Sequence, residues 1–141
     1  MRSLLLLLAL LNPSITHACQ CPPFSDEEQF TQATVVLEGR VLKLEKAKSD
    51  QKITVKPGKI WKGLLLGNVK VFQSDTDCRF PVKEGESFLF FLLKDGATRR
   101  LYTNRCQGTR ALSEAVDALA KFKTAVEKTA PVPGAPKQKS R

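Results

Sequence analysis

Ala18-Cys19-Gln20-Cys21-Pro22-Pro23 is the stretch on which the reading of this chain turns. Two thiols stand one residue apart, and the two prolines behind them hold the backbone extended and remove two backbone donors. The residues before it read as an export signal. Arg2 makes a positive n-region, Leu4 to Leu11 is an apolar run too short to span a bilayer, and Thr16 and Ala18 place small residues at the −3 and −1 positions of a cleavage site. Cleavage after Ala18 would leave Cys19 as the first residue, its α-amino group beside a disulfide anchor. A cysteine at that place also raises lipid acylation, but a lipobox wants Leu and a small residue where this chain has Thr16 and His17. Ordinary cleavage is therefore expected, with residues 1–18 as a signal peptide and the product outside the cytoplasm, secreted or periplasmic. No other run is long enough to cross a membrane. Loss of Arg2 with the signal takes the formal charge from +9 to +8.

The four cysteines form an even set in an exported chain, which points to disulfides. A bond from Cys19 to Cys21 would close a strained small ring, so Cys78 and Cys106 are their partners, in either of two pairings. Each closes a long loop worth about 4 kcal/mol in the chain-entropy model. The single histidine, His17, falls in the signal. Its loss removes Ser-His-Asp and Cys-His nucleophile systems, His-ligated zinc and His general bases, and oxidation of the cysteines removes thiolate chemistry. The chain is not expected to be an enzyme, nor to need a cofactor or a metal ion of its own.

Ser25-Asp26-Glu27-Glu28 has the spacing of a capping box, with Phe30 as the inward anchor of a short helix. Residues 34–46 are β-rich around Gly39, where a glycine inside a long strand marks a bulge or bend. Lys46 to Lys52 reads as a hairpin loop. Ile53 and Val55 alternate with polar residues until Pro57-Gly58, which suits an edge or bulged position, and Trp61 reads as a core residue with its N–H bonded. Leu64-Leu65-Leu66-Gly67-Asn68 is an apolar loop before a strand at Val69 and Val71. Asp75 and Asp77 fit an Asx-rich turn better than a calcium site, which needs six or more oxygens. Ser87 to Leu93 contains the most apolar run and reads as a strand buried on both faces. Asp95-Gly96 closes a hairpin, and Leu101-Tyr102 begins the return toward Cys106. Thr109 is a candidate helix cap, and Leu112, Val116, Leu119 and then Phe122 or Val126 recur at helical spacing. From Ala130 on, prolines and then Lys137, Lys139 and Arg141 predict a disordered basic tail.

Five long, bent strands in about a hundred residues predict a mainly β fold, a five-stranded OB-fold Greek-key barrel with a C-terminal helix packed against it and two disulfides. The domain is expected over residues 19–127, with the tail over 128–141.

This pattern resembles the N-terminal domain of the tissue inhibitors of metalloproteinases, within the netrin-like OB-fold group. The residues that carry the resemblance are the signal ending before Cys19-Gln20-Cys21, Pro22-Pro23, Val36-Leu37-Glu38-Gly39-Arg40-Val41, Ile60-Trp61-Lys62-Gly63, Cys78 and Cys106-Gln107-Gly108-Thr109. They span residues 19 to about 122, and the Cys-x-Cys start with two distant cysteines is the most specific part. The resemblance implies the pairing Cys19–Cys78 with Cys21–Cys106. It also implies that the amine and carbonyl of Cys19 chelate the catalytic zinc of a partner metalloproteinase, with Gln20 in its specificity pocket and Cys21 and Pro22 in contact. The chain departs from the animal inhibitory domain in carrying four cysteines, without the third pair, and in Gln20, which replaces a small hydroxyl residue, and a second, C-terminal domain is not expected.

Two other classes of function compete with inhibition. A non-inhibitory netrin-like module would use the disulfides only as staples and bind a protein, or an anionic surface or polymer through its basic tail. Oligonucleotide binding suits a basic barrel, but Phe88, Phe90 and Phe91 sit in a core-like run and export argues against it, so no nucleic acid is expected. The chain is expected to act as a monomer.

Overall fold

The computed structural model describes residues 19–129; the expected signal peptide and the tail beyond residue 129 lie outside the described residues. The elements are α1 (Asp26–Gln32), β1 (Val35–Ala47), β2 (Asp50–Lys62), β3 (Val69–Ser74), β4 (Ser87–Lys94), β5 (Leu101–Tyr102), β6 (Arg110–Ala111) and α2 (Val116–Thr129). Strand β1 pairs antiparallel with both β2 and β4, β2 with β3, and β4 with β5, while β3 and β5 run parallel. The order β1-β2-β3-β5-β4 therefore returns to β1 and closes a ring of five strands, with β6 added beside β4. This is the mainly β architecture, with its C-terminal helix and two disulfides, that the sequence predicts. Closure gives the ring strands partners on both sides where they overlap and leaves little open edge. Among the described residues no helix is long and apolar enough to cross a membrane.

The ring closes because β1 bends. Its first residues, Val35 to Arg40, pair with β4 while the whole strand follows β2, and its register against β2 shifts between Leu37 and Gly39 and again between Val41 and Lys43. A Cβ on Gly39 would press into Val55 Cγ1 and lie 2.7 Å from Leu37 Cδ1, so only glycine lets the backbone pass here. Pro57 stands opposite Gly39, beyond the last β2–β3 pair at Val55 and Val69, where a missing N–H breaks no ladder on that side.

Alternation along the strands divides the core into two clusters. Inside the ring, Val35, Leu37 and Val41 of β1 meet Ile53, Val55, Val71, Phe80, Phe88, Phe90 and Leu92. The intervening Val36, Leu89 and Phe91 face outward and are covered by Ala33, Ala115, Ala118 and Phe122. The central run of β4 is thus buried on both faces, as its unbroken hydrophobicity predicts. The Phe122 ring lies 4.8 Å from Phe30, 5.9 Å from Trp61 and 6.1 Å from Phe91, and joins both helices to the sheet. Trp61 is half-buried, and its Nε1 donates to Glu38 Oε1 at 3.0 Å. The capping box forms as expected: Ser25 Oγ accepts from the Glu28 amide, and the Glu28 carboxylate accepts from the Ser25 amide at 2.7 Å. Helix α1 has no basic residue in its last turn. Lys62 reaches over from β2 instead, its Nζ donating to the carbonyls of Phe30 and Thr31 at 2.8 Å each.

Three local expectations are corrected. Thr109 caps no helix: it is buried, its Oγ1 accepts from the Phe91 amide at 2.9 Å, and it contacts the Thr103 hydroxyl. Leu112 lies in a 3-10 turn before α2, and Val116 and Val126 are 64% and 51% exposed, because the helix seats the small Ala115 and Ala118 against the sheet. The first hairpin turns at Lys48 and Ser49 alone, with Lys48 at φ 58°. Leu112, Leu119 and Phe122 pack on the outer cluster as expected, so the correction falls on the two valines. Phe122→Ala should cost about 3 kcal/mol or more in urea unfolding followed by Trp61 fluorescence, whereas Val116→Ala should stay within about 0.5 kcal/mol of the parent.

Candidate functional site

Residues 19–25 have no regular secondary structure, and from Gln20 to Ser25 they are exposed. Two covalent bonds hold them. Cys19 is joined to Cys78 with 5.0 Å between Cα atoms, and Cys21 to Cys106 with 4.9 Å. This is the pairing that the resemblance implied. The two disulfides lie against each other, with Cys19 Sγ 3.4 Å from Cys106 Sγ and 3.8 Å from Cys21 Sγ. The described chain has no free cysteine, so this sulfur cluster has neither S–H donors nor thiolates to offer a metal.

The anchor points lie close together because of the topology. Cys78 follows β3 and Cys106 follows β5, and these two strands are parallel neighbours. Parallel strands sit about 4.8 Å apart and leave the sheet at the same end, so two cysteines separated by one residue, at most about 7 Å apart, can reach both. The two exits are also bonded directly, the Arg105 amide donating to the Cys78 carbonyl at 2.9 Å.

Each exit is fixed from below. Asn104 caps the turn that carries Cys106, its Oδ1 accepting from the amides of Cys106 at 2.8 Å and Gln107 at 3.2 Å. Gly108 comes next at φ 87°, where a side chain would collide with the amide of Gln29, and Gln29 donates to the Cys106 carbonyl. Arg110 pairs with Asp26 at 2.7 Å and donates to the Gly108 carbonyl at 3.1 Å, which ties α1 to the same turn. On the other side Gln73, fully buried at the end of β3, donates to the Phe80 carbonyl at 3.2 Å and accepts from its amide at 3.3 Å. That clamp returns the chain to the core just beyond Cys78. Asp75 is engaged by Arg79 at 2.7 Å within a turn closed by the Arg79 amide on the Thr76 carbonyl, consistent with the turn reading of this acidic pair.

The two disulfides thus bring the segment Cys19, Gln20, Cys21 and Pro22 together with Cys78 and Cys106. The structure adds Gln29, Gln73, Asn104 and Arg110, which sequence reasoning missed. Their only signal was polar type, near a cysteine for Asn104, at a strand end for Gln73 and Arg110, and within α1 for Gln29. What emerges is an exposed segment held at two points: Gln20 and Pro22 are exposed, each next to a cysteine fixed by a disulfide. Cys19 is half-buried and Phe24 is 42% exposed, above a cleft of about 470 Å³ that Asp26, Gln29, Phe80, Arg105 and Arg110 help to line. The groups that hold this segment are the two disulfides, the side-chain amides of Gln29, Gln73 and Asn104, and the Arg110–Asp26 ion pair. No protein-family model matches the chain, and none of the curated proteins is significantly similar to it.

Hydrogen bonds from the Ser25 backbone and then its hydroxyl hold the Glu28 carboxyl below its ordinary pKa. A depressed carboxylate pKa contributes stability that is fully present above the unfolded value and lost as pH falls through the folded one. The Ser25 amide should therefore exchange slowly at neutral pH and lose its protection once pH drops through the Glu28 titration, as amide exchange would register. Replacing Cys19 and Cys78 together by serine should lower stability by about 4 kcal/mol in denaturant unfolding, because a loop of 59 residues is then free in the unfolded chain.

Proposed function

We propose that the chain is an exported inhibitor of zinc metalloendopeptidases, acting through Cys19 once the signal peptide has been removed after Ala18. The observation that carries this reading is the doubly anchored, exposed segment from Cys19 to Cys21. A single exposed residue, Gln20, lies between two cysteines that are each fastened to the barrel. Its resemblance to the tissue inhibitors of metalloproteinases supplies the target class.

The chemistry asks only for residue one. A free α-amine has a pKa of about 8, so near neutral pH it gives up its proton to a metal with little penalty. The amine nitrogen and carbonyl oxygen of Cys19 close a five-membered chelate on the zinc of the protease. They take the place of the water that serves as the nucleophile, and hydrolysis stops. Gln20 then enters the pocket that receives the substrate side chain after the scissile bond, and Cys21 and Pro22 lie along the cleft. Residues 74–77, exposed and joined to Cys19 through Cys78, offer a second contact segment beside it. An untethered terminus would lose conformational freedom on binding; this one has lost it on folding.

The test adds one alanine ahead of Cys19, which converts the amine into an amide. The parent should inhibit members of a panel of zinc metalloendopeptidases. The extended form should lose at least about a hundredfold in potency with an unchanged thermal melt, as expected when a charge-assisted metal contact is removed. Inhibition that survives the extension overturns the mechanism. A correctly cleaved parent that inhibits no member favours the alternative, a netrin-like binding module in which both disulfides are staples. The charge of +8 after cleavage is the feature that supports that second reading.

A further inference from the structure

The loop between β2 and β3 presents aliphatic surface that the ring does not use. Gly63 and Gly67 turn the chain at φ 86° and 67°, and between them Leu65 packs against the inner core. Its two neighbours are consequently driven outward: Leu64 is 87% exposed and Leu66 91%. Scattered apolar residues are ordinary on a surface, but two leucines exposed in one short loop form a knuckle that the described residues leave uncovered.

The surroundings of the knuckle are cationic. From Gln51 to Ser74 the sequence is rich in lysine and holds no acidic residue. Lys56, Lys59 and Lys70 are exposed, and Lys56 and Lys59 lie on the part of β2 that extends past its pairing with β3. Ile60 is 36% exposed beside them, and Lys59 Nζ sits 3.7 Å from the centre of the Trp61 ring. Glu38 faces this surface as well, but its carboxylate accepts the indole N–H. Aliphatic tips, an indole and a rim of lysines are the chemistry of a surface that lies in a bilayer interface, the apolar groups among the acyl chains and the ammonium groups at anionic headgroups.

We propose that the leucine knuckle at residues 63–67 and the lysine-bearing end of β2 form a peripheral docking site for a bilayer containing anionic phospholipid. Leucines alone would suit a protein partner and lysines alone an anionic polysaccharide; exposed leucines in the loop and exposed lysines on the two strands it joins favour lipid. The site is separate from the N-terminal segment and does not depend on inhibition.

The test is co-sedimentation of the exported, disulfide-bonded protein with vesicles of phosphatidylcholine mixed with phosphatidylglycerol, and with phosphatidylcholine alone. The parent should bind the mixed vesicles, bind the neutral ones far more weakly, and release with added salt. Leu64→Ser with Leu66→Ser should weaken binding about tenfold or more, as expected when two buried aliphatic side chains are lost, and Lys56→Gln with Lys59→Gln and Lys70→Gln should do the same. A chain ending at Thr129 should bind like the parent, which separates this site from the basic tail. Trp61, the one tryptophan, should be quenched by acyl chains brominated near the headgroup in the parent and not in the leucine variant. Both leucines are exposed, so the variants should melt like the parent. Binding that ignores the leucine substitutions, or that disappears with the tail, overturns the proposal in favour of simple charge attraction. Absence of vesicle binding, or a leucine-dependent self-association in size-exclusion chromatography without it, overturns it in favour of a protein contact.

Discussion

Two disulfides packed against each other hold in place a segment that has little else to hold it. Residues 19–25 make no ladder and mostly face solvent, so their own contacts could not offset the entropy of ordering them, about 1–2 kcal/mol for each backbone residue. The bonds to Cys78 and Cys106 transfer that cost to folding, and they fasten the segment to two turns that are themselves fixed by Asn104, Gln29 and Gln73. A segment pinned at one cysteine could still pivot. Pinned at two, with Cys19 and Cys106 sulfurs 3.4 Å apart, it has one orientation, and the prolines after it prevent it from folding back into a helix.

The pinning depends in turn on how the ring closes. Among the strand pairings of the described residues only β3 with β5 is parallel, and it delivers two chain exits to one place. That parallel contact exists because β1 is long enough and bent enough to pair with both β2 and β4. The bend rests on Gly39, whose missing side chain lets Val55 and Leu37 approach. The outer layer supports the same arrangement. Thr109, three residues beyond Cys106, engages the Phe91 amide with its hydroxyl and so locks the Cys106 turn to the strand that β1 pairs with. Core and anchored segment are therefore one mechanical unit.

Much of this was legible in the sequence where a single residue type has a single physical use. The disulfide anchoring of Cys19 and Cys21, the Ser25 and Glu28 capping box, the doubly buried run from Phe88 to Leu92 and the bend at Gly39 all read correctly for that reason. The helix read correctly at Leu112, Leu119 and Phe122, which pack inward, but not at Val116 and Val126, because hydrophobic periodicity weights valine above alanine. A helix laid closely on a sheet selects small residues instead, which is why Ala115 and Ala118 are buried and Val116 is not. Thr109 had two uses open to its hydroxyl, and only the three-dimensional neighbour Phe91 decides between them. Gln73 and Asn104 carried no sequence signal beyond their polar type: their importance comes from groups distant along the chain or from a turn geometry that type alone does not specify.

The anchored segment and the leucine knuckle are separated by the length of one strand. β3 begins at Val69, just past the knuckle, and ends at Ser74, just before Cys78. Six residues of strand span about 20 Å, comparable to the thickness of a small domain and well beyond the ~8–10 Å screening length at physiological salt. Two surfaces at opposite ends of the same strand can be occupied together without competing for space or sharing a field. A bilayer at the knuckle would leave the disulfide-pinned end pointing away from the membrane, free to meet a partner in solution or on a neighbouring surface. The same rigidity that fixes Cys19 relative to the barrel would then fix it relative to the membrane. A flexible linker between the two surfaces would have lost that relation; a single short strand keeps it.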